Sequence, residues 1–118
     1  MARVALVVLA DTETHGDKGR VANALEAAKE LKGAGEDVEL IFDGAGTKWI
    51  RELNRTDNRM GPLFDGVKDR VSGACAFCAS AFGVREAVLA AGVPLLDEFD
   101  QHPSLARRIA RGAQVITF

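Results

Sequence analysis

The sequence predicts one α/β domain: a three-layer α/β/α sandwich around a mainly parallel five-stranded sheet. Three observations carry this expectation. Short apolar runs of strand character recur along the chain, stretches with helical apolar spacing separate them, and glycines and prolines mark the joints. Such an alternation winds with right-handed crossovers and places helices on both faces of the sheet.

Val4-Ala5-Leu6-Val7-Val8-Leu9-Ala10 is a continuous apolar run, as expected of a parallel strand covered on both faces. Asp11 to Asp17 follows as a polar loop. From about Lys18 to Ala34, the positions Val21, Leu25, Ala28 and Leu31 fall at helical spacing. Asp17 is the expected cap of that helix, and Gly33 and Gly35 supply its stop. Val38 to Phe42 reads as the second strand. Thr47 is placed to cap a short helix carrying Trp49, Ile50 and Leu53. After the polar loop from Asn54 to Gly61, Pro62 opens a helix with the stripe Leu63, Phe64, Val67 and Val71.

Gly73 to Phe77 is the third strand, small and apolar. A helix of about a dozen residues is expected after Cys78, with Phe82, Val84, Ala87, Val88 and Ala91 inward. Gly92 and Pro94 end it. Val93 to Leu96 is a short fourth strand. Pro103 opens a last helix with Leu105 and Ile109 one turn apart, and Gly112 closes it. Val115 to Phe118 is the fifth strand.

Composition narrows the function classes. The chain has 118 residues, 47% hydrophobic and 27% charged, which excludes a disordered chain, a collagen and a disulfide-stapled miniprotein. Its 15 basic and 17 acidic side chains give a net charge of -2, without the basic excess of a nucleic-acid binder. The longest apolar runs are too short to cross a bilayer. No small-residue cleavage site follows Met1-Ala2-Arg3, so no signal peptide is expected. The expected location is the cytoplasm, with two reduced cysteines.

In a parallel sheet, ligands bind beyond the carboxyl ends of the strands. Four segments should meet there: Asp11–Asp17, Asp43–Thr47, the junction at Cys78, and Asp97–His102. The sharpest feature among them is Cys75-Ala76-Phe77-Cys78, a C-x-x-C at a strand-to-helix junction. If the strand ends near Phe77, Cys78 opens the helix, where free N–H groups and the helix dipole favour a thiolate. Such a thiolate can carry sulfur as a persulfide, form a disulfide or bind metal. Cys75 is then placed to resolve or support it. The plainer alternative is a pair of small buried hydrophobes.

Zinc in a structural site needs four ligands, and there is one C-x-x-C. His15 and His102 could complete the set, but no local spacing ties them to the cysteines. A thioredoxin-like dithiol is a further option, although its motif follows an early strand with the first cysteine opening the helix. His15 and His102 are the only histidines, and either could exchange a proton with a cysteine sulfur. The loop Asp11 to Asp17 shares its hydroxyl-rich character with a flavodoxin phosphate loop, but Asp11, Glu13 and Asp17 would repel a phosphate. The chain has no Tyr to cover a flavin, which would leave that part to Trp49 or a Phe. Gly44-Ala45-Gly46 falls short of a dinucleotide fingerprint and suits a tight turn. No cofactor or resident metal is expected. Trp49 could wall a pocket, or pack in the core or against another subunit, and Asp97-Glu98-Phe99-Asp100 reads as a solvated loop.

The pattern resembles the DsrE/DsrF-like family of small sulfur-relay proteins. The resemblance rests on the apolar first strand with its polar loop, on Gly73-Ala74-Cys75-Ala76-Phe77-Cys78-Ala79, and on the ending Gly112-Ala113-Gln114-Val115-Ile116-Thr117-Phe118. It implies a flavodoxin-like sandwich assembled into trimers or hexamers, passing persulfide sulfur between donor and acceptor proteins. The relay cysteine of the family is similar by position to Cys78, with Cys75 the second member of the C-x-x-C branch. Many relatives carry Arg-Gly shortly after the motif, where this chain reads Ala79-Ser80-Ala81-Phe82-Gly83. The expected function is therefore a cytoplasmic sulfur carrier, homo-oligomeric, with Cys78, Cys75, His15 and His102 as site residues. The alternative is a small-ligand or partner-binding module of the same fold with passive cysteines.

Overall fold

The computed structural model describes residues 1–118. Five parallel strands form one sheet in the order β4-β3-β2-β1-β5: β1 (Arg3–Val8), β2 (Asp37–Phe42), β3 (Val71–Cys75), β4 (Leu95–Leu96) and β5 (Ala113–Thr117). β1 lies at the most protected position, in unbroken register with β2 from Arg3↔Asp37 to Val8↔Phe42 and with β5 from Arg3↔Ala113 to Val7↔Thr117. The β2–β3 register shifts between Leu40 and Ile41.

Six helices connect the strands: α1 (His15–Gly33), α2 (Trp49–Leu53), α3 (Gly61–Asp65), α4 (Ala76–Ala81), α5 (Arg85–Ala90) and α6 (Leu105–Ala110). Strands 1 to 4 are added in one direction, so right-handed crossovers lay α1 to α5 on the same face. Only the last connection reverses, carrying α6 over the opposite face. The result is the expected three-layer, flavodoxin-like sandwich, unequally filled. Val4, Leu6, Val8, Val38, Leu40 and Phe42 meet α1 to α5 in a core of 20 buried residues, while Ala5, Val7 and Ile41 form a small second cluster.

The thin face is held by charge. Arg108 of α6, 8% exposed, donates to Glu39 on β2 (3.0 Å) and to Glu98 in the loop after β4 (2.6 Å). Ser72 Oγ on β3 donates to the same Glu39 carboxylate at 2.7 Å. A buried guanidinium is tolerable only when so paired. Leu105 and Ile109, one turn apart on α6, are 43% and 61% exposed, because Arg108 occupies the sheet-facing side.

Local signals account for most boundaries. Thr14, rather than the expected Asp17, caps α1. Its hydroxyl accepts from Asp17 N (3.1 Å) while the Asp17 carboxylate accepts from Thr14 N (3.1 Å), a capping box. Asp43, rather than Thr47, caps the 3-10 turn Gly44–Lys48 that precedes α2. Gly46 must be glycine, since a Cβ there would lie 2.0 Å from Val8 O, where this turn sits on the end of β1. Val71, expected in a helical stripe, begins β3. The single helix expected after Cys78 is two, because Gly83 turns left-handed (φ 70°) between them. Phe82 and Ala91 consequently face outward, while Val84 and Val88 are buried. No helix is long and apolar enough to cross a membrane.

Candidate functional site

The chain leaves β3 at Cys75 and turns at once into α4. The strand therefore ends two residues earlier than the apolar run Gly73 to Phe77 suggests, and Ala76 and Phe77 are already helical. Cys75 is the helix cap: its sulfur accepts the backbone N–H of Cys78 at 3.4 Å. Its thiol in turn reaches the Gln101 carbonyl at 3.6 Å, and Phe77 N donates to that same carbonyl at 2.9 Å. The first N–H groups of α4 are thus engaged by Cys75 and Gln101. Cys78 sits in the first turn, not at the opening position the sequence suggests.

The two thiols differ in kind. Cys75 is fully buried; burial, with the nearby Asp43 carboxylate adding to it, pushes its thiol from an ordinary 9.0 up to about 12. It is a neutral thiol at physiological pH. Cys78 is partly exposed, and both are free.

The second half of the site comes from the loop after β4. Phe99 and His102 pair in an antiparallel bridge, closed by Asp100 (φ 47°) and Gln101 (φ 66°). Two consecutive positive φ angles make a tight primed turn, which non-glycine residues adopt at a cost in strain. That turn delivers the Gln101 carbonyl to α4 and the His102 ring to the cysteines. Ligand-type atoms of Cys75, Cys78 and His102 all lie within 4.8 Å of one another. His102 Nδ1 lies 2.6 Å from the Asp100 carbonyl, which can only accept, so Nδ1 is the donor there and, in the neutral ring, Nε2 is the nitrogen with the free lone pair. The ring stacks on Phe77 at 5.1 Å.

Glu98 fixes the turn from behind. Its carboxylate accepts from Ser104 N (2.9 Å) and from Arg108, so the acidic run is not the solvated loop its composition suggests. Burial opposes ionisation of Glu98, but Arg108, the Ser104 N–H and Arg107 together hold its carboxyl below the usual range.

His15 stands exposed at the first residue of α1, outside this cluster. The loop before it is held by Lys48 of the Gly44–Lys48 turn, paired to Asp11 (2.5 Å) and Glu13 (3.4 Å). Lys48 holds the Asp11 carboxyl below its ordinary value. Trp49 is buried and donates to the Ala10 and Asp11 carbonyls, so it serves the core and pins the end of β1. Asp43 and Gln101 belong to segments the sequence assigns to this edge, but the contacts of the Asp43 carboxylate and the Gln101 carbonyl with Cys75 carry no sequence signal. The Asp-Gln pair carries none of the Asn-Gly or Asp-Gly signal that announces a primed turn.

The cysteines lie over β3 and β4 at one sheet edge, away from the β1/β5 reversal where an open α/β sheet usually forms its crevice. None of the five surface cavities is lined by Cys75, Cys78 or His102.

No family model matches the sequence. In three dimensions the chain resembles a conserved protein of unknown function, BT1422 from Bacteroides thetaiotaomicron, with a TM-score of 0.66. The two are 19% identical, and the match covers 97% of this chain and 94% of that one, so it supports the fold alone. In sequence, the chain is 30% identical over 89 residues to the uncharacterized protein MJ0733 of Methanocaldococcus jannaschii. That match spans 75% of this chain and 72% of its relative, and the chain belongs to the same family as MJ0733.

Proposed function

We propose that the protein is a cytoplasmic persulfide carrier of the DsrE/DsrF-like kind, with Cys78 as the sulfur-bearing residue. The observation that carries this reading is the contrast between a partly exposed Cys78 and a sealed, neutral Cys75 three residues away. A thioredoxin-like dithiol opens its helix with the first cysteine of the motif, whereas here the first cysteine, Cys75, is sealed at the end of β3 and the second, Cys78, is the accessible one. A carrier needs one reactive sulfur and a quiet neighbour.

In the first half-reaction, Cys78 thiolate attacks the terminal sulfur of a donor persulfide, R–S–SH. The donor S–S bond breaks, R–S⁻ leaves, and Cys78–S–SH forms. In the second, an acceptor thiolate takes the terminal sulfur and Cys78 thiolate is restored. No electrons are gained or lost overall. His102 Nε2 is the proton acceptor for the Cys78 thiol, with its tautomer set by Asp100. His15 takes no part in this reading. Partners are donor and acceptor proteins rather than small molecules, because the sulfur stands at a surface edge with no cavity over it.

The test is mass spectrometry of the reduced protein after exposure to a persulfide donor. One added sulfur atom is expected, lost in Cys78→Ser and retained in Cys75→Ala. A native protein that takes up no sulfur and resists alkylation at Cys78 overturns the reading in favour of passive cysteines.

A further inference from the structure

We propose that Cys75, Cys78 and His102 form a binding site for a thiophilic divalent cation of the zinc type, with three protein ligands and a fourth position open. Sequence spacing cannot link a histidine 24 residues downstream to the C-x-x-C, but the fold does so through the Asp100–Gln101 turn.

The donor chemistry selects the ion. Two cysteine sulfurs and an imidazole are soft to borderline ligands, suited to zinc and unsuited to magnesium or calcium; the Asp43 carboxylate stands beside Cys75 but outside the three-ligand set. Distances agree. Bonds of about 2.3 Å to sulfur and about 2.0 Å to nitrogen place tetrahedral ligands about 3.5–3.8 Å apart. The cluster, already within 4.8 Å, reaches that spacing by closing about 1 Å, within the range of a cysteine side-chain rotation.

The surroundings are those of a metal ligand set. The His102 Nδ1–H is committed to a backbone carbonyl, the outer-shell bond that fixes an imidazole with its other nitrogen facing a metal. Phe77 holds the ring plane from one side. The Cys78 N–H already points at the Cys75 sulfur and would stabilise the negative charge of a metal-bound thiolate. Binding breaks the Cys75 thiol contact to Gln101 and releases two thiol protons to solvent, with no change in oxidation state. The ion enters from the Cys78 side, which is the open one, and its fourth position faces that opening.

The proposal stands apart from sulfur transfer, although one molecule cannot do both at Cys78. Its test is titration of the reduced, metal-free full chain with Co²⁺, read by thiolate-to-cobalt charge-transfer absorption and reversed by Zn²⁺. One ion per chain is expected, with no band in Cys78→Ser. His102→Ala, at a partly exposed residue, should weaken Co²⁺ by at least about tenfold while circular dichroism shows an unchanged fold. No charge-transfer band at saturating Co²⁺, or an affinity unmoved by His102→Ala, overturns it. Sulfur uptake is measured separately on metal-free protein, so either proposal can fail alone.

Discussion

Cys75 and Cys78 are chemically identical and separated by two residues, yet their surroundings assign them different work. Cys75 donates to the Gln101 carbonyl, accepts from the Cys78 N–H and is sealed from water. Its thiol is held near 12 against an ordinary 9.0, so the folded protein retains a proton that the unfolded chain loses first. The sign follows: the unfolded state binds fewer protons above about pH 9, so stability falls with rising pH between about 9 and about 12. Urea midpoints measured across that range should decline, and Cys75→Ala should flatten the decline. The absence of Tyr removes one other group that titrates there. At Cys78 the expected result is selectivity: iodoacetamide at neutral pH should modify Cys78 in the native protein and reach Cys75 only on unfolding, as peptide mapping would show.

Among the elements, the loop after β4 and α6 form a unit whose stability rests on ion pairs rather than apolar packing. Glu98 lies at its centre, between Ser104 N, Arg107 and Arg108, which also reaches Glu39 across the sheet. Glu98→Gln should cost on the order of 2 kcal/mol, since it weakens charged hydrogen bonds and leaves Arg108 less well paired. Hydrogen exchange should then quicken at residues 97 to 103. Because the Glu98 carboxyl is held below its ordinary 4.5, its contribution is present above that pH and fades as acid protonates it. Sequence reasoning located this loop but not its construction. Leu105 and Ile109 mark a helix by their spacing, but nothing in a one-dimensional pattern says that Arg108 between them will turn inward to meet Glu39, 69 residues away. The same limit explains His102. Its loop was legible as part of the crevice edge, whereas its approach to the cysteines depends on two left-handed residues without a glycine.

At the scale of the whole molecule, strand alternation was readable because each strand is short and apolar and each joint carries a glycine, proline or capping residue. The β4-β3-β2-β1-β5 order was not readable, since it depends on which way each crossover steps. Five helices share one face, and the other is left to α6 and a three-residue buried cluster. Phe99, Leu105, Ile109 and Ile116 remain exposed on the C-terminal elements. A homo-oligomer is the expected outcome: sedimentation should give a multiple of 12.6 kDa, and Ile109→Lys should shift it toward the single chain. A lone 12.6 kDa species would overturn that expectation.

The two-residue strand β4 forms the rim beside which Cys78 stands. A sulfur mounted on a rim is met from the side, by whatever surface can lie flush against it. Discrimination among visitors then depends less on the size of a molecule than on the relief of a neighbouring wall, which Phe77 and Phe99, both protruding, would shape.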